Sequence, residues 1–332
     1  MLRIFLGAAL YAAASTAAFA QPVTLKFASF TPDTEATWLN GLKPFIDAVN
    51  ADPSGAVKIE AFPNGALGRN LSQQPQMVLD GVADMAFVAP GQSAGRFPDD
   101  TVFELPGLIR NVAEGSRLAE GLTSTNSLRG YSEYVVLASL MNTNINIYAR
   151  RPIKSLADLK GMKVRILGAV TGQAVKELGM VPVLMPPNEV VEAIGRGTID
   201  AMITSPSAFV DFGMERVASS TYFLELGANS FAVLMSRAKF ESLPKAAQEV
   251  LLKHGGKAFN ERYTRQIHAN WLNMVERFKA DPKRTLVFPT EADQKEADVA
   301  FAKVAKEWAS QDPRNEQLLT KARQLLTEIR AK

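Results

Sequence analysis

Two stretches of the sequence decide the fold: GVADMAFVAP at residues 81–90 and GTIDAMITSP at residues 197–206. A glycine, an aspartate and a proline occupy the same relative positions in both. Each glycine ends a predicted helix, and each aspartate opens a short apolar strand that stops at the proline. The constant offset between the matching residues indicates that the chain contains two copies of one structural unit.

The segments before these stretches repeat the same order of elements. In the first copy the predicted strands and helices alternate as 23–29, 35–51, 57–62, 71–80 and 84–89. In the second copy they alternate as 162–167, 171–178, 181–185, 188–194 and 199–204. Because β-α-β crossovers place helices on the faces of a parallel sheet, we expect two α/β lobes, each a mostly parallel sheet with helices on both faces. Such sheets bind ligands beyond the carboxyl ends of their strands, so the site is expected in the cleft between the lobes.

The remaining segments are mostly helical and suggest a discontinuous domain organisation. Helical periodicity predicts long C-terminal helices over 239–280, 292–310 and 316–329, the first broken near Pro244 and Gly255. The apolar segment 137–147 is expected to carry the chain from one lobe to the other. We therefore assign residues 21–142 and 230–270 to lobe I, and residues 143–229 and 271–332 to lobe II, with the C-terminal helices packing across both.

Composition excludes several classes of protein. The chain has 332 residues, of which 47% are hydrophobic and 21% charged, which is typical of a globular protein with an ample core. The excess of basic over acidic residues is 37 − 34 = +3, and no basic cluster marks one face, so we expect no nucleic-acid partner. The absence of cysteine excludes disulfides, thiolate nucleophiles and cysteine-bound metals. We expect no cofactor.

The first twenty residues have the pattern of a secretory signal peptide. Arg3 precedes an apolar run at 4–10, and Ala18-Phe19-Ala20 has the small-x-small form that signal peptidase accepts. The alternative, a membrane anchor, is disfavoured because the apolar run is too short to span about 30 Å of hydrocarbon. We therefore expect residues 1–20 to be removed and the mature protein to be exported to the periplasm.

One enzyme motif competes with a binding function. Residues 91–95 read GQSAG, which matches the G-x-S-x-G elbow of serine hydrolases after a buried strand, with Ser93 as the nucleophile. Loop-forming residues follow the motif instead of the helix that the elbow requires. The histidines available as base are His254, beside two glycines, and His268, inside a predicted helix, whereas a triad histidine usually lies on a loop. The competing interpretation, which we favour, is a glycine-rich loop at a strand end.

Arg165 is the strongest candidate for binding chemistry. Strand alternation over 162–167 places Lys163, Arg165 and Leu167 on one face, and Arg165 lies close to the end of the strand that opens to the cleft. A guanidinium pairs with a carboxylate through parallel hydrogen bonds that fix orientation as well as charge. The alternative for this pattern is a solvent-facing arginine with a local carboxylate partner.

These landmarks together resemble the solute-binding proteins of tripartite ATP-independent periplasmic (TRAP) transporters, of the DctP-like type. The resemblance rests on five stretches that span nearly all of the mature chain: KFASFTP (26–32), FPNGALG (62–68), DMAFVAPG (84–91), RPIKSLADLKGMKVR (151–165) and GTID (197–200). It implies a two-lobed periplasmic binding protein fold, type II-like. It also implies a receptor that closes around a small organic acid and delivers it to the small and large membrane subunits of an ion-gradient-driven permease. We expect a monomer. A sensory protein that docks on a chemoreceptor has the same cleft and remains an alternative.

The resemblance assigns Arg165 to the family's carboxylate-clamping arginine, and two departures refine the expected ligand. The segment 142–146 lacks the second arginine found in sialic-acid and many dicarboxylate binders, and Ile203, Thr204 and Ser205 stand where many members are more polar. We therefore hypothesise a monocarboxylate with an apolar or aromatic body. The candidates for its walls are Phe30, Trp38, Phe209 and Phe231. The candidates for polar contacts are Thr31, Arg69, Pro90, Gly91, Gln92, Asn142, Asn144, Thr204, Ser205 and Asn229, with Arg69 as a replacement for the missing second cation.

Overall fold

A computed structural model describes residues 21–142 and 145–331 of the chain, so the predicted signal peptide and Asn144 lie outside the described residues. The strands are β1 (Val23–Ala28), β2 (Val57–Phe62), β3 (Met85–Val88), β4 (Tyr134–Asn142), β5 (Asn146–Ala149), β6 (Lys163–Ile166), β7 (Val181–Leu184), β8 (Ala201–Thr204), β9 (Ser220–Tyr222), β10 (Asn229–Ser236) and β11 (Thr285–Val287). The α-helices are α1 (Lys43–Asn50), α2 (Gln74–Leu79), α3 (Val112–Ser124), α4 (Ala169–Glu177), α5 (Val190–Gly195), α6 (Pro206–Asp211), α7 (Arg237–Ser242), α8 (Lys245–His254), α9 (Gly256–Lys279), α10 (Glu291–Ser310) and α11 (Pro313–Arg330).

The two halves of the chain build sheets with the same strand order. The first sheet runs β2-β1-β3-β10-β4, and the second, read from its far edge, runs β7-β6-β8-β5-β9 with β11 added. In each sheet a single strand runs against all the others: β10 in the first and β5 in the second. Both reversed strands follow a crossing of the chain from the other sheet. The predicted two-lobed α/β fold with mostly parallel sheets is therefore confirmed.

The repeated aspartates perform the same structural task in both lobes. Asp84 Oδ2 accepts the backbone N–H of Lys26 at 2.8 Å, and Asp200 Oδ2 accepts the backbone N–H of Lys163 at 2.8 Å. The backbone N–H groups of the same aspartates donate to Lys26 O and Lys163 O, at 3.0 and 2.8 Å. Each aspartate therefore joins the start of its own strand to the neighbouring strand.

The glycines of the repeat end the preceding helices. Gly81 and Gly197 have φ values of +71° and +72°, which an L side chain rarely adopts, and each follows the C-terminus of a short helix, α2 or α5. Both glycines turn the chain into the strand that points at the cleft. The sequence repeat therefore corresponds to a repeated helix-end and strand-start geometry.

The helices cover the sheets and link the lobes. The first half of α9 packs its buried Phe259, Tyr263 and Ile267 into the core of the first lobe, whereas Met274 and Phe278 in its second half lie in a cluster under the second sheet. The lobe boundary that we expected at residue 270 therefore falls inside one continuous helix of 24 residues. A similar exchange occurs at α3, which belongs to the expected lobe I segment but shares a core cluster with α10, α11 and the second sheet.

One predicted helix is divided in the structure. The helix expected over 35–51 is a π-helical turn at Trp38–Leu42 followed by α1, because Pro44 lies at the start of α1, where its missing N–H is tolerated. The apolar segment 137–147 carries the chain from one lobe to the other, as expected: β4 ends in the first sheet at Asn142 and β5 begins in the second sheet at Asn146. Within the described part of the chain, no helix has the length and apolar character needed to cross a membrane.

Candidate ligand-binding site

A cavity of about 80 Å³ lies between the lobes, at the carboxyl ends of their strands. Both halves of the repeat supply residues just after strand ends: Thr31 and Ala89 from the first lobe, Leu167 and Ser205 from the second. The complete lining consists of Phe30, Thr31, Glu35, Thr37, Leu71, Phe87, Ala89, Gly91, Gln92, Glu104, Asn142, Leu167, Pro187, Thr204, Ser205, Ala208, Phe212, Asn229, Ser230 and Phe231. The site is therefore where two mostly parallel sheets meet, as ligand sites of such sheets generally are.

One wall of the cavity is a stack of three aromatic rings from the first lobe. The centroids of Phe30 and Phe87 are 5.2 Å apart with an interplanar angle of 22°, and those of Phe87 and Phe231 are 5.2 Å apart with an angle of 14°. Phe212 of the second lobe also lines the cavity. Aromatic side chains gain from offset stacking on another flat ring as well as from area burial. This wall suits a planar apolar ligand body.

Arg165 is held rigidly at the second lobe's side of the cleft. Its side chain is 0% exposed, which shows that the alternative of a solvent-facing arginine is wrong. The Nε atom donates to Met185 O at 3.0 Å, and Nη1 donates to Ile203 O at 3.1 Å. Nη2 has no hydrogen-bond partner among the described residues. Two backbone carbonyls thus fix the guanidinium and leave one of its donor atoms unused.

The charge of this arginine is not balanced by the protein. Arg165 forms no ion pair with any carboxylate of residues 21–142 or 145–331. Burial alone lowers the pKa of the guanidinium to about 10, which still leaves it charged at neutral pH. A buried charge without a partner is unfavourable, since a low-dielectric interior solvates it poorly. The site therefore holds a cation that an anion can stabilise.

Arg165 lies behind the cavity wall and is not itself among the lining residues. Its two acceptors, Met185 O and Ile203 O, come shortly before Pro187 and Thr204, and both of these line the cavity. Leu167, two residues after Arg165 on the same face of the strand, lines it as well. The strand ends that surround the guanidinium are therefore followed directly by residues of the cavity wall.

Two buried carboxyl groups also line the cavity. Glu35 and Glu104 are 8% and 5% exposed, and the Oε2 atom of each has no hydrogen-bond partner among the described residues. Burial, with a smaller contribution from Asp211, raises the pKa of Glu35 to about 8. Burial, with a smaller contribution from Asp100, raises the pKa of Glu104 to about 7. Both groups can exchange a proton near neutral pH.

The lobes touch each other across the cleft. Gln92 Nε2 of the first lobe donates to Leu167 O of the second at 3.2 Å. The backbone N–H of Ala36 donates to Asp211 Oδ2 of the second lobe at 3.3 Å. These contacts enclose the cavity, so the lobes are in a closed arrangement.

The candidate residues from the sequence divide into two groups. Those that line the cavity are Phe30, Thr31, Gly91, Gln92, Asn142, Thr204, Ser205, Asn229 and Phe231. Trp38 instead packs in the core of the first lobe, and Phe209 is fully buried with its ring centroid 3.9 Å from that of Tyr148. Pro90 is buried without lining the cavity, and Arg69 is exposed outside it, so Arg69 does not supply a second cation there. Asn144 lies outside the described residues.

Several lining residues were missed at the sequence level. Phe87 was seen only as part of a buried strand, although the residues that flank it pointed to a strand end near the cleft. Phe212 follows the short helix α6, whose N-cap is Ser205, a residue predicted only as a polar contact. Glu35 and Glu104 carried no usable signal, because neither belongs to a motif and Glu104 lies in a 3-10 turn, Pro98–Glu104, well before the repeat's second copy.

The hydrolase alternative fails on geometry. Ser93 lies in a 3-10 turn, and its Oγ donates to Ser72 O at 3.0 Å rather than to a histidine. His254 Nε2 lies 2.8 Å from Asp52 Oδ2, and His268 is exposed, with its ring stacked near Trp271. The described residues also contain no group of His, Asp and Glu arranged to hold a metal ion. The glycine-rich loop is thus part of the cleft wall.

Comparisons with known proteins agree with this geometry. The family model of bacterial extracellular solute-binding proteins, family 7, matches residues 27–312. The 2,3-diketo-L-gulonate-binding periplasmic protein YiaO of Escherichia coli is 29% identical over 266 residues, 78% of each chain. A marine metagenome TRAP solute-binding protein specific for aromatic acid ligands, solved with 3-hydroxybenzoate, has a TM-score of 0.86 at 26% identity, covering 93% of this chain and 99% of that one. A TRAP solute-binding protein from Rhodoferax ferrireducens with copurified benzoate has a TM-score of 0.85 at 27% identity, covering 92% and 98%.

The chain therefore belongs to the bacterial extracellular solute-binding proteins of family 7. It is an extracytoplasmic solute receptor of the TRAP type, a binding protein and not an enzyme. TRAP solute-binding proteins take up small organic ligands and work with membrane permease subunits. The resemblance stated from the sequence is confirmed.

Proposed function

We propose that this receptor binds an aromatic monocarboxylate, with Arg165 as the anchor for the carboxylate. The observation that carries the proposal is the fully buried guanidinium, which has one unpaired nitrogen and no carboxylate partner among the described residues, next to a cavity with an aromatic wall. A ligand carboxylate supplies the missing negative charge and a charge-assisted hydrogen bond to Nη2. The acid thereby relieves an unfavourable feature of the unliganded protein.

The wall residues favour an apolar, planar body over a polar chain. The stack of Phe30, Phe87 and Phe231 offers a flat surface, and Leu71 and Leu167 add aliphatic contacts. Similar structures at 26% and 27% identity hold 3-hydroxybenzoate and benzoate, which supports an aromatic acid here. Polar contacts come from the hydroxyl and amide groups of Thr31, Gln92, Thr204, Ser205 and Asn229. A second guanidinium, which a dicarboxylate would require, is absent from the described lining.

The receptor acts in the periplasm in this proposal, as a monomer, after residues 1–20 are removed. The acid bridges the lobes, and closure excludes water so that its ion pair with Arg165 strengthens. The closed form is then recognised by the small and large membrane subunits of the permease. The shift toward this form is limited by the difference in the acid's affinity for the two states.

Substitution of the anchor tests the proposal. Arg165→Met retains volume but removes the charge, and we expect calorimetry to show benzoate affinity reduced by about a hundredfold or more, because an ion pair shielded from water is lost. Arg69→Ala, which removes an exposed arginine outside the cavity, is the matched control and should leave affinity unchanged. The ligand-free Arg165→Met protein should still fold, since removal of an unpaired buried charge offsets the loss of the hydrogen bonds to Met185 O and Ile203 O. Retained benzoate affinity in Arg165→Met, or wild-type preference for succinate over benzoate, contradicts the proposal.

A further inference from the structure

Glu104 lies between the two lobes, in a space that close packing of three glycines leaves for it. A Cβ atom at Gly168, in the second lobe, would overlap its carboxyl group, and one at Gly91, in the first lobe, would come within 2.9 Å of Oε1. A Cβ atom at Gly227 would likewise overlap the backbone carbonyl of Glu104. The side chain is 5% exposed and lines the cavity. A side chain at any of these three positions would therefore collide with Glu104.

The carboxyl group of Glu104 is only partly satisfied. It accepts the backbone N–H of Val170 in the first turn of α4, where the helix dipole also favours negative charge. Its Oε2 atom has no hydrogen-bond partner among the described residues. Leaving a buried acceptor unpaired is unfavourable, and more so for a charged one. Asp100, the charged group facing it, is itself buried and adds repulsion rather than a partner.

Building on the proposed function, we propose that Glu104 determines specificity in the cleft: its Oε2 accepts a hydrogen bond from an O–H or N–H group on the ring of the acid. Arg165 then anchors the carboxylate, and Glu104 accepts a hydrogen bond from a donor elsewhere on the same ligand. A second carboxylate on the ring meets a like charge at Glu104 and is rejected. The favoured substrate class is an aromatic monocarboxylate that carries a hydroxyl or amino group.

Glu35 is the natural comparison, because it is also a buried cavity residue with an unpaired Oε2. Its charged neighbour is Asp211 of the opposite lobe, and no glycine of the described chain is packed against its carboxyl group. Burial also raises the pKa of Glu35, to about 8. Within the described chain, the carboxyl group of Glu35 lacks the close glycine packing that fixes the position of Glu104. Glu35 therefore provides a matched control in the same cavity.

The test compares Glu104→Gln and Glu35→Gln with the wild type by calorimetry at pH 8. The probes are benzoate, 3-hydroxybenzoate, 3-methoxybenzoate and benzene-1,3-dicarboxylate. We expect the wild type to bind the hydroxy acid about tenfold more tightly than benzoate, and to bind the methoxy acid and the dicarboxylate more weakly than the hydroxy acid. In Glu104→Gln the preference for the hydroxy acid over benzoate should fall to about twofold, and the affinity for the dicarboxylate relative to benzoate should rise about tenfold. Glu35→Gln should keep the wild-type order.

The outcomes separate the two proposals. Wild-type binding of aromatic acids with the same hydroxyl preference in Glu104→Gln overturns the role of Glu104 and leaves the proposed function intact. The same conclusion follows if Glu35→Gln, and not Glu104→Gln, abolishes the preference. Should Glu104→Gln fail to fold, equal wild-type affinity for the methoxy and hydroxy acids overturns the inference without the variant. A wild type that binds none of the aromatic acids overturns the proposed function and this inference together.

Discussion

Arg165, the proposed anchor of the ligand, differs in its contacts from a charged residue with a structural role at the same depth. The buried Asp99 is paired with Arg129 at 2.6 Å and with Arg314 at 3.2 Å, and these contacts hold its pKa below the ordinary value. Arg165 is equally buried but has backbone carbonyls as its only described partners. The first arrangement stabilises the fold by itself, whereas the second leaves a charge for a ligand to complete.

At the same scale, the space around Glu104 gives a prediction for Gly168. The variant Gly168→Ala places a methyl group where the Glu104 carboxyl lies, so either this carboxyl or the second lobe must move. We expect affinity for 3-hydroxybenzoate to fall by about tenfold or more, measured by calorimetry, because the closed geometry is disturbed. Gly195→Ala is the control, since no heavy atom lies within 4 Å of its added Cβ and its affinity should match the wild type. Equal affinities for the two variants would contradict this account.

Some of the residues at the candidate site could be predicted from the sequence, and others could not. Arg165 was predicted near the cleft because it lies close to the carboxyl end of β6, and strand alternation placed it on the same face as Leu167. The same reasoning could not separate Phe30, which lines the cavity, from Trp38 and Phe209, which pack into cores. An apolar face is equally suited to a core and to a ligand, and only tertiary placement distinguishes them. Glu104 could not be predicted as a site residue, because two of the glycines that pack around it, Gly168 and Gly227, are distant from it in sequence.

At the scale of elements, the paired aspartates predict a loss of stability in each lobe, with Asp84 also losing its ion pair with Lys239. Asp84→Ala and Asp200→Ala each remove the acceptor of a strand backbone N–H, at Lys26 or Lys163. We expect each to lower the free energy of unfolding by about 1–3 kcal/mol in urea titrations, as for hydrogen bonds to charged groups.

The control for this pair is Asp47→Ala, which removes only an exposed helix contact with Lys43. Its effect should stay within about 0.5 kcal/mol. If one aspartate variant lost almost no unfolding free energy and the other lost much, the two aspartates would not have the same structural role.

The repeat also explains why the order of the elements was predictable, whereas the point at which the segment 137–147 changes sheets was not. Glycine, aspartate and proline mark helix ends and strand ends through local geometry, so β3 and β8 were found at the expected places. The run at 137–147 is apolar throughout, and periodicity holds no information on which sheet a residue joins. Sheet membership is decided by long-range pairing, here of β4 and β5 with strands more than fifty residues away. The same reason applies to α9, which the sequence could not assign to both lobes.

At the scale of the whole molecule, the buried carboxyl groups predict how stability depends on pH. The pKa values of Glu35, Glu104, Asp100 and Asp211 are raised, chiefly by burial, to about 8, 7, 7 and 6. A raised pKa means that the folded state binds more protons than the unfolded state, so the stabilisation is present below the ordinary pKa and is lost as pH rises through the raised one. We expect the unfolding free energy of the ligand-free protein to fall between pH 5 and pH 8.

The variant Glu35→Gln isolates one contribution to this trend. This variant removes the group with the highest of these pKa values. In urea titrations, its unfolding free energy should therefore decline less toward pH 8 than that of the wild type. The exposed Glu316→Gln is the control and should follow the wild-type curve. A stability that rises steadily from pH 5 to pH 8 would contradict the prediction.

The reversed strand β10 has a consequence for the order in which the chain can fold during synthesis. It pairs with both β3 and β4 in the middle of the first sheet, yet it begins only at Asn229. Until that segment is available, β3 and β4 each lack a neighbour, and their open edges favour binding to other chains. The amino-terminal half therefore cannot complete its sheet ahead of the rest of the chain, and the first lobe becomes a closed unit only after strands β5 to β9 of the second lobe have been synthesised.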